Sequence, residues 1–253
     1  MNRSRFQSHL SSMMHSKFSS GGGGGDSIIS AADLLAPTAW YDAFTTAAGV
    51  VNSWADKSGN GNHATQGTGS KQPTCTASQQ AGKNGLIFDN GDTLVLPSGL
   101  FTIPNGANTL FAVAKLASEA AVTDRIIELS EAGSPRWNLL YLTTAGQIQF
   151  LSRTGNSLSV VSTGNTNTNT NIIMGRRSGT TQAIAINNGT ETADTNGANE
   201  SGCDAGYIGS RLDTDGYLNG TIFEILIYNR SLSAAEIIRI NRYLSNKWSI
   251  TIS

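Results

Sequence analysis

Charge is scarce in this sequence. Asp, Glu, Lys and Arg make up 14% of its 253 residues, where about 25% is ordinary for a globular chain. The formal net charge is −1, and without a basic excess neither nucleic acid nor an anionic membrane surface is an expected partner. No run approaches the ~20 apolar residues that a membrane span needs. There are two cysteines, Cys75 and Cys203, at a spacing that matches no zinc pattern. They are two reduced thiols or one disulfide, and intracellular assembly favours the thiols. Only three histidines occur, and no G-x-S-x-G nucleophile motif accompanies them. Residues 1–25 contain no apolar core of the kind that a secretory signal carries.

Gly, Ser, Thr and Asn fill the space that charge leaves, and they divide the chain into three zones. The first is an arm with Phe6, Leu10, Met13, Met14 and Phe18 at helical spacing, basic at Arg3, Arg5 and Lys17. It is similar to a transit peptide, and reads either as a docking arm or as a disordered tail. Five glycines follow, the composition of a flexible linker. The expected division is an arm and linker over 1–27, then one domain over 28–253.

The second zone, about residues 28–230, holds short apolar runs between turn signals. They include 85–89, 109–115, 125–129, 137–142, 147–151, 172–176, 181–186, 207–209 and 221–228. Asn187-Asn-Gly189 predicts a hairpin, because Asn and Gly tolerate the positive φ of such turns. Asn165-Thr-Asn-Thr-Asn-Thr-Asn171 predicts an exposed loop. Many strands without interleaved helices predict an all-β, two-sheet antiparallel sandwich. The third zone predicts a helix over 233–248. Ser233 and Glu236 form a capping box, and Ile237, Ile240, Leu244 and Trp248 line one face.

The stretch Trp54-Ala-Asp-Lys-Ser-Gly-Asn-Gly-Asn-His-Ala64, with Trp40-Tyr-Asp-Ala43 before it and Asn84-Gly-Leu-Ile-Phe-Asp89 after it, resembles the first strands of concanavalin A-like, laminin-G-like jelly rolls. The end, Tyr217 to Ser233 and a helix closing on Lys247-Trp248, resembles them too. This likeness covers about residues 30–250 and implies a jelly roll, a fold that hosts lectins, adhesion modules, glycosidases and structural domains. An arm and Gly-rich linker before such a domain is similar to small accessory proteins of bacteriophage particles.

Within 54–66, Asp56, Ser58 and Asn60 are weak candidates for a calcium ion, since only one of them is charged and no bidentate Glu follows. A tight turn capped by Asp56 and Ser58, with Gly59 and Gly61 at unusual φ, is the preferred reading. His63 reads as a packing residue. Trp40 and Trp54 read as core. Glucanases of the fold that the chain resembles carry E-x-D-x-x-E on one strand, and no such run exists here. Glu224 stands alone on an apolar strand and reads as structural, so no catalytic residue is assigned and no enzyme is expected. Glycan contacts, which need aromatic faces and planar polar groups, are expected at Arg136, Trp137 and Tyr141, and at Arg211, Asp213, Asp215 and Tyr217.

These readings combine into an expected virion component, of capsid decoration or tail-fibre type. It would be assembled in the host cytoplasm, docked to other virion proteins through the arm and part of a larger or homo-oligomeric assembly. Weak host-glycan binding is expected alongside. The alternative is an extracellular carbohydrate-binding, lectin-like module. No cofactor is expected beyond the weak calcium candidate.

Overall fold

The structure, a computed structural model, describes residues 33–100, 107–117, 124–130, 137–142, 147–154, 157–165, 168–195 and 205–253. The arm residues Phe6, Leu10, Met13, Met14 and Phe18 lie outside the described residues, as do Arg136 and Cys203.

Among the described residues, seventeen strands form two antiparallel sheets. The first sheet holds β1 (Ala39–Asp42), β2 (Gly49–Val50), β5 (Thr74–Gln80), β6 (Lys83–Asp89), β8 (Asn108–Leu116), β13 (Thr170–Ser178), β14 (Thr181–Ile186), β15 (Thr192–Asp194) and β17 (Asn219–Tyr228). The second holds β3 (Ser53–Trp54), β4 (Ala64–Thr65), β7 (Leu94–Leu96), β9 (Arg125–Ser130), β10 (Trp137–Leu142), β11 (Gln147–Thr154), β12 (Ser157–Asn165) and β16 (Ala205–Ile208). A helix, α1 (Ala234–Trp248), follows the last strand. The expected all-β sandwich with a C-terminal amphipathic helix is therefore what the chain forms.

Strand alternation explains the layering. On β8, Leu110, Ala112, Ala114 and Leu116 face the second sheet, while Phe111 and Val113 face the helix. Both faces of the first sheet are thus covered, which is why its central strands read as nearly unbroken apolar runs. Helix α1 starts at Ser233, whose side chain accepts from the Glu236 N–H while Glu236 caps Ser233 in return. Ile237, Ile240, Leu244 and Trp248 are buried against the sheet as the spacing predicts. Each such side chain contributes roughly 2 kcal/mol by leaving water.

A bulge in β17 decides which way its acidic side chain points. Ile222 pairs with Ala114 and Glu224 with Val113, so Phe223 is an extra residue. An extra residue breaks alternation. Phe223 and Glu224 therefore both face the helix, and Ile225 returns to the inner core. The hairpin at 187–189 has Asn187 and Asn188 at φ of 50° and 58°, as predicted. The Asn/Thr repeat is less of a loop than its composition suggests. Asn165 ends β12 and Thr170 opens β13, while the Asn171 side chain is buried and accepts from Asn187 Nδ2 at 2.9 Å.

Candidate functional site

The Gly- and Asn-rich stretch folds into a clamp. Asp56 Oδ1 accepts from the backbone N–H groups of Trp40 (2.9 Å) and Ser58 (2.8 Å). Its Oδ2 accepts from Ser58 Oγ (2.7 Å) and the Asn62 N–H (2.9 Å). Asn60 and Asn62 each donate Nδ2 to the Thr38 carbonyl, at 3.0 and 2.8 Å. The Tyr41 hydroxyl donates to the Asn62 carbonyl, and burial with Asp56 nearby pushes that phenol far up. Gly59 and Gly61, at φ of 91° and 76°, make the reversal possible. His63 accepts the Asp56 N–H at Nδ1 (3.0 Å), so it serves the turn. Calcium does not fit here. Both Asp56 oxygens face hydrogen-bond donors, and Asn60 turns its nitrogen inward, where the ion needs convergent oxygens. Among the described residues no group of three or more His, Cys, Asp or Glu is placed to hold a metal ion.

Glu224 is the centre of a second network, between the first sheet and the helix. Oε1 accepts from Trp40 Nε1 and the Tyr243 hydroxyl, both at 2.7 Å. Oε2 accepts from Trp248 Nε1 (2.6 Å) and pairs with Lys247 Nζ at 2.9 Å. Lys247 also reaches Asp42 Oδ1 at 2.9 Å, and Lys57 holds Asp42 Oδ2 at 2.9 Å. Burial pushes the Glu224 carboxyl up, against the opposing pull of Lys247. Every oxygen is occupied by a group of the chain itself, so the network locks the helix down and leaves no approach for a substrate. The structural reading of Glu224 fits this geometry, and so do Trp40, Trp54 and Trp248 as core residues, each 0–2% exposed.

A third cluster faces outward at one end of the sandwich. The loop after β16 turns at Gly209 (φ 83°), where a Cβ would come within 2.3 Å of the Phe88 ring. It continues through Leu212 and Asp213 at φ of 51° and 54°. Arg211 and Asp215 form a bridge across this loop, with Nη1 donating to Asp215 Oδ2 at 3.1 Å. The Tyr217 hydroxyl donates to the Asp213 carbonyl at 2.9 Å. The structure thus brings together four of the residues singled out from the sequence. It adds one that sequence reasoning missed: Lys71 Nζ donates to Asp213 Oδ1 at 2.9 Å across 142 residues of chain. That contact raises the Lys71 ammonium above its usual range. No local signal could have found it.

Buried polar groups hold this loop in place. Thr93 and Ser210 share a hydroxyl hydrogen bond of 2.6 Å, and Gln66 Nε2 donates to the Thr93 carbonyl. The Arg125 N–H donates to the Gly216 carbonyl, and Asp124 accepts the Asn219 N–H at 3.0 Å. Asp89 and Asp92 lie in the neighbouring turn, where the Asp89 N–H donates to Asp92 Oδ2 at 3.2 Å. Burial, with Asp89 alongside, pushes the Asp92 carboxyl to about 6.

The remaining candidates sit on the second sheet. Tyr141 pairs with Arg125 on one side and Gln149 on the other, and Trp137 pairs with Leu129. The register thus sets Tyr141 beside β9 but in a different row from Trp137. Glu128, buried on β9, has Arg125 Nε at 4.0 Å. Cys75 is a buried free thiol that burial pushes up.

Two sheets, a covering helix and a polar rim at one end define a lectin-like β-sandwich. The chain belongs to the concanavalin A-like lectin/glucanases superfamily, whose laminin G-type family model matches residues 88–238. The Trp54–Ala64 motif lies before that match. No curated protein matches the sequence. Among solved structures, a sialidase of Trypanosoma rangeli in complex with 2,3-difluorosialic acid superimposes with a TM-score of 0.63 at 16% identity. That superposition covers 87% of this chain and 34% of the sialidase. The binding domain of botulinum neurotoxin serotype D, in complex with N-acetylneuraminic acid, gives 0.63 at 12% identity, over 83% of this chain and 52% of the other. The chain spans about a third of the sialidases and half of the toxin domain, and what is shared is the fold.

The expectation that the chain is not an enzyme is corrected by these neighbours, which include sialidases. The fold is also shared by the toxin's binding domain, so it does not divide enzymes from binders. The physical reason is that a missing pair of carboxylates excludes only one arrangement for glycoside hydrolysis, while sialidases employ a tyrosine nucleophile.

Proposed function

We propose that this protein is a carbohydrate-binding module whose ligand sits on the rim formed by Lys71 and residues 209–217. One observation carries this reading. Arg211, Asp213, Asp215, Tyr217 and Lys71 converge at the surface in fixed geometry, each at least partly exposed. The Asp56 clamp and the Glu224 network are consumed internally by comparison. Planar charged groups with an aromatic ring are what vicinal hydroxyls need: carboxylates accept, guanidinium and ammonium donate, and a ring face covers C–H groups. The lectin-like fold and a neighbour crystallised with a sugar acid support the same class of ligand.

In this reading the module serves adhesion, and the arm of residues 1–27 anchors it to a larger assembly, a virus particle being the assembly favoured by the arm's sequence. An extracellular setting is the alternative. Binding is tested on an array of mammalian and bacterial glycans, with Tyr217→Ala and Asp213→Ala alongside. The expected result is a bound glycan lost at least tenfold in both variants, about 1.4 kcal/mol. Silence on every glycan removes the reading. Deleting residues 1–25 tests the anchor separately: particle incorporation should disappear while glycan binding persists.

A further inference from the structure

We infer that the rim selects uncharged sugars and rejects sialylated ones, an inference that rests on the glycan-binding reading above. Charge, and the donors already committed within the rim, decide this. Five carboxylates gather at this end of the sandwich: Asp89, Asp92, Asp124, Asp213 and Asp215. They are tied together through the Asn219 N–H, the Arg211–Asp215 bridge and the turn after β6. Three cations, Lys71, Arg125 and Arg211, stand among them, so the described residues of this end carry an acidic excess.

Each cation of the rim is also already answered. Lys71 lies 2.9 Å from Asp213, and Arg211 lies 3.1 Å from Asp215. A sugar carboxylate is best held by a guanidinium offering two parallel N–H groups. Arg211 already gives Nη1 to Asp215 and has its Nε buried, so only the Nη2 side of its guanidinium remains free, and Asp215 lies beside it. Arg125, 7% exposed, has Glu128 beside it. An anionic sugar that reached either cation would lie against the aspartate paired with it. Like charges in contact are a strong device for rejecting a wrong ligand.

An uncharged sugar meets the opposite situation. The Asp215 side chain is 56% exposed, and Asp213 29%. Sugar hydroxyls donate to these carboxylates, and the remaining protons of Lys71 donate to sugar oxygens. No ion pair has to open. The ligand class is therefore a neutral hexose or N-acetylhexosamine terminus, in contrast to the sugar acid held by the toxin domain of the same fold.

The test uses the full chain on paired glycans that differ only by a terminal sialic acid, at low and at physiological salt. The expected result is at least about tenfold tighter binding to the neutral member, with the gap narrowing as salt screens the repulsion. Asp89→Asn, at an exposed position outside the proposed sugar contacts, should retain the neutral ligand and shrink the gap measurably by removing one repelling charge. Equal or tighter binding to the sialylated member overturns the inference and leaves the glycan-binding reading standing. Binding to neither member of any pair overturns both.

Discussion

Two aspartates show how differently a carboxylate can serve one fold. Asp56 receives three backbone N–H groups and one hydroxyl, and it fixes the start of β1 against the turn at 57–62. Replacing it by alanine leaves the Trp40 and Asn62 N–H groups without their acceptor. The expected loss is about 2–4 kcal/mol, read as a lower urea midpoint with an unchanged slope. Asp92 works in the other sense. Its carboxyl is raised to about 6 from 3.8, chiefly by burial. Between those values the folded state binds a proton that the unfolded state does not, so stability falls as pH rises through that window. Asp92→Asn should therefore be more stable than the native chain at pH 7.5, by about 1 kcal/mol once partial solvent screening is allowed for. The two should converge near pH 4, and urea midpoints at three pH values check the sign.

Elements differ in how openly their sequence announces them. Helix α1 was legible to within one residue, because capping box and apolar stripe are local patterns. Strands such as β14, a short apolar run ending at the Asn187–Gly189 turn, were equally plain. β5, Thr-Cys-Thr-Ala-Ser-Gln-Gln, was not, since a mostly neutral polar strand has no apolar rhythm to read. The β17 bulge was hidden too, because an extra residue becomes visible only when its partner strand is known. That bulge puts Glu224 under α1, and the element's security follows from it. Lys247→Met would leave the Glu224 and Asp42 carboxylates facing each other with only Lys57 to answer them. Breaking a buried pair from one side costs about 3–5 kcal/mol. The variant should unfold earlier in urea, with the Trp40 and Trp248 fluorescence reporting release of the helix first.

At the scale of the whole molecule, the two faces of the first sheet divide the labour. The inner face meets the second sheet, and the outer face meets only α1 and the segments beside it among the described residues. The rim is built on the loop after β16, a central strand of the second sheet, and shares no hydrogen bond with the Glu224 network among those described. Its members could not be assembled from sequence, since Lys71 and Asp213 are distant and a loop's fold is set by its neighbours, whereas Arg211 to Tyr217 were legible as one local turn. Truncating the chain after Ser231 should expose Trp40, Phe111, Val113, Ile172, Met174, Phe223, Leu226 and Tyr228 together. An apolar patch of that extent exceeds what a soluble surface tolerates. The truncated chain should aggregate or bind a hydrophobic dye strongly, even though every residue of the rim is retained. Recovery of a monomeric, cooperatively unfolding truncation would mean that the sandwich stands without its third layer, and that the Glu224 network serves something other than holding it in place.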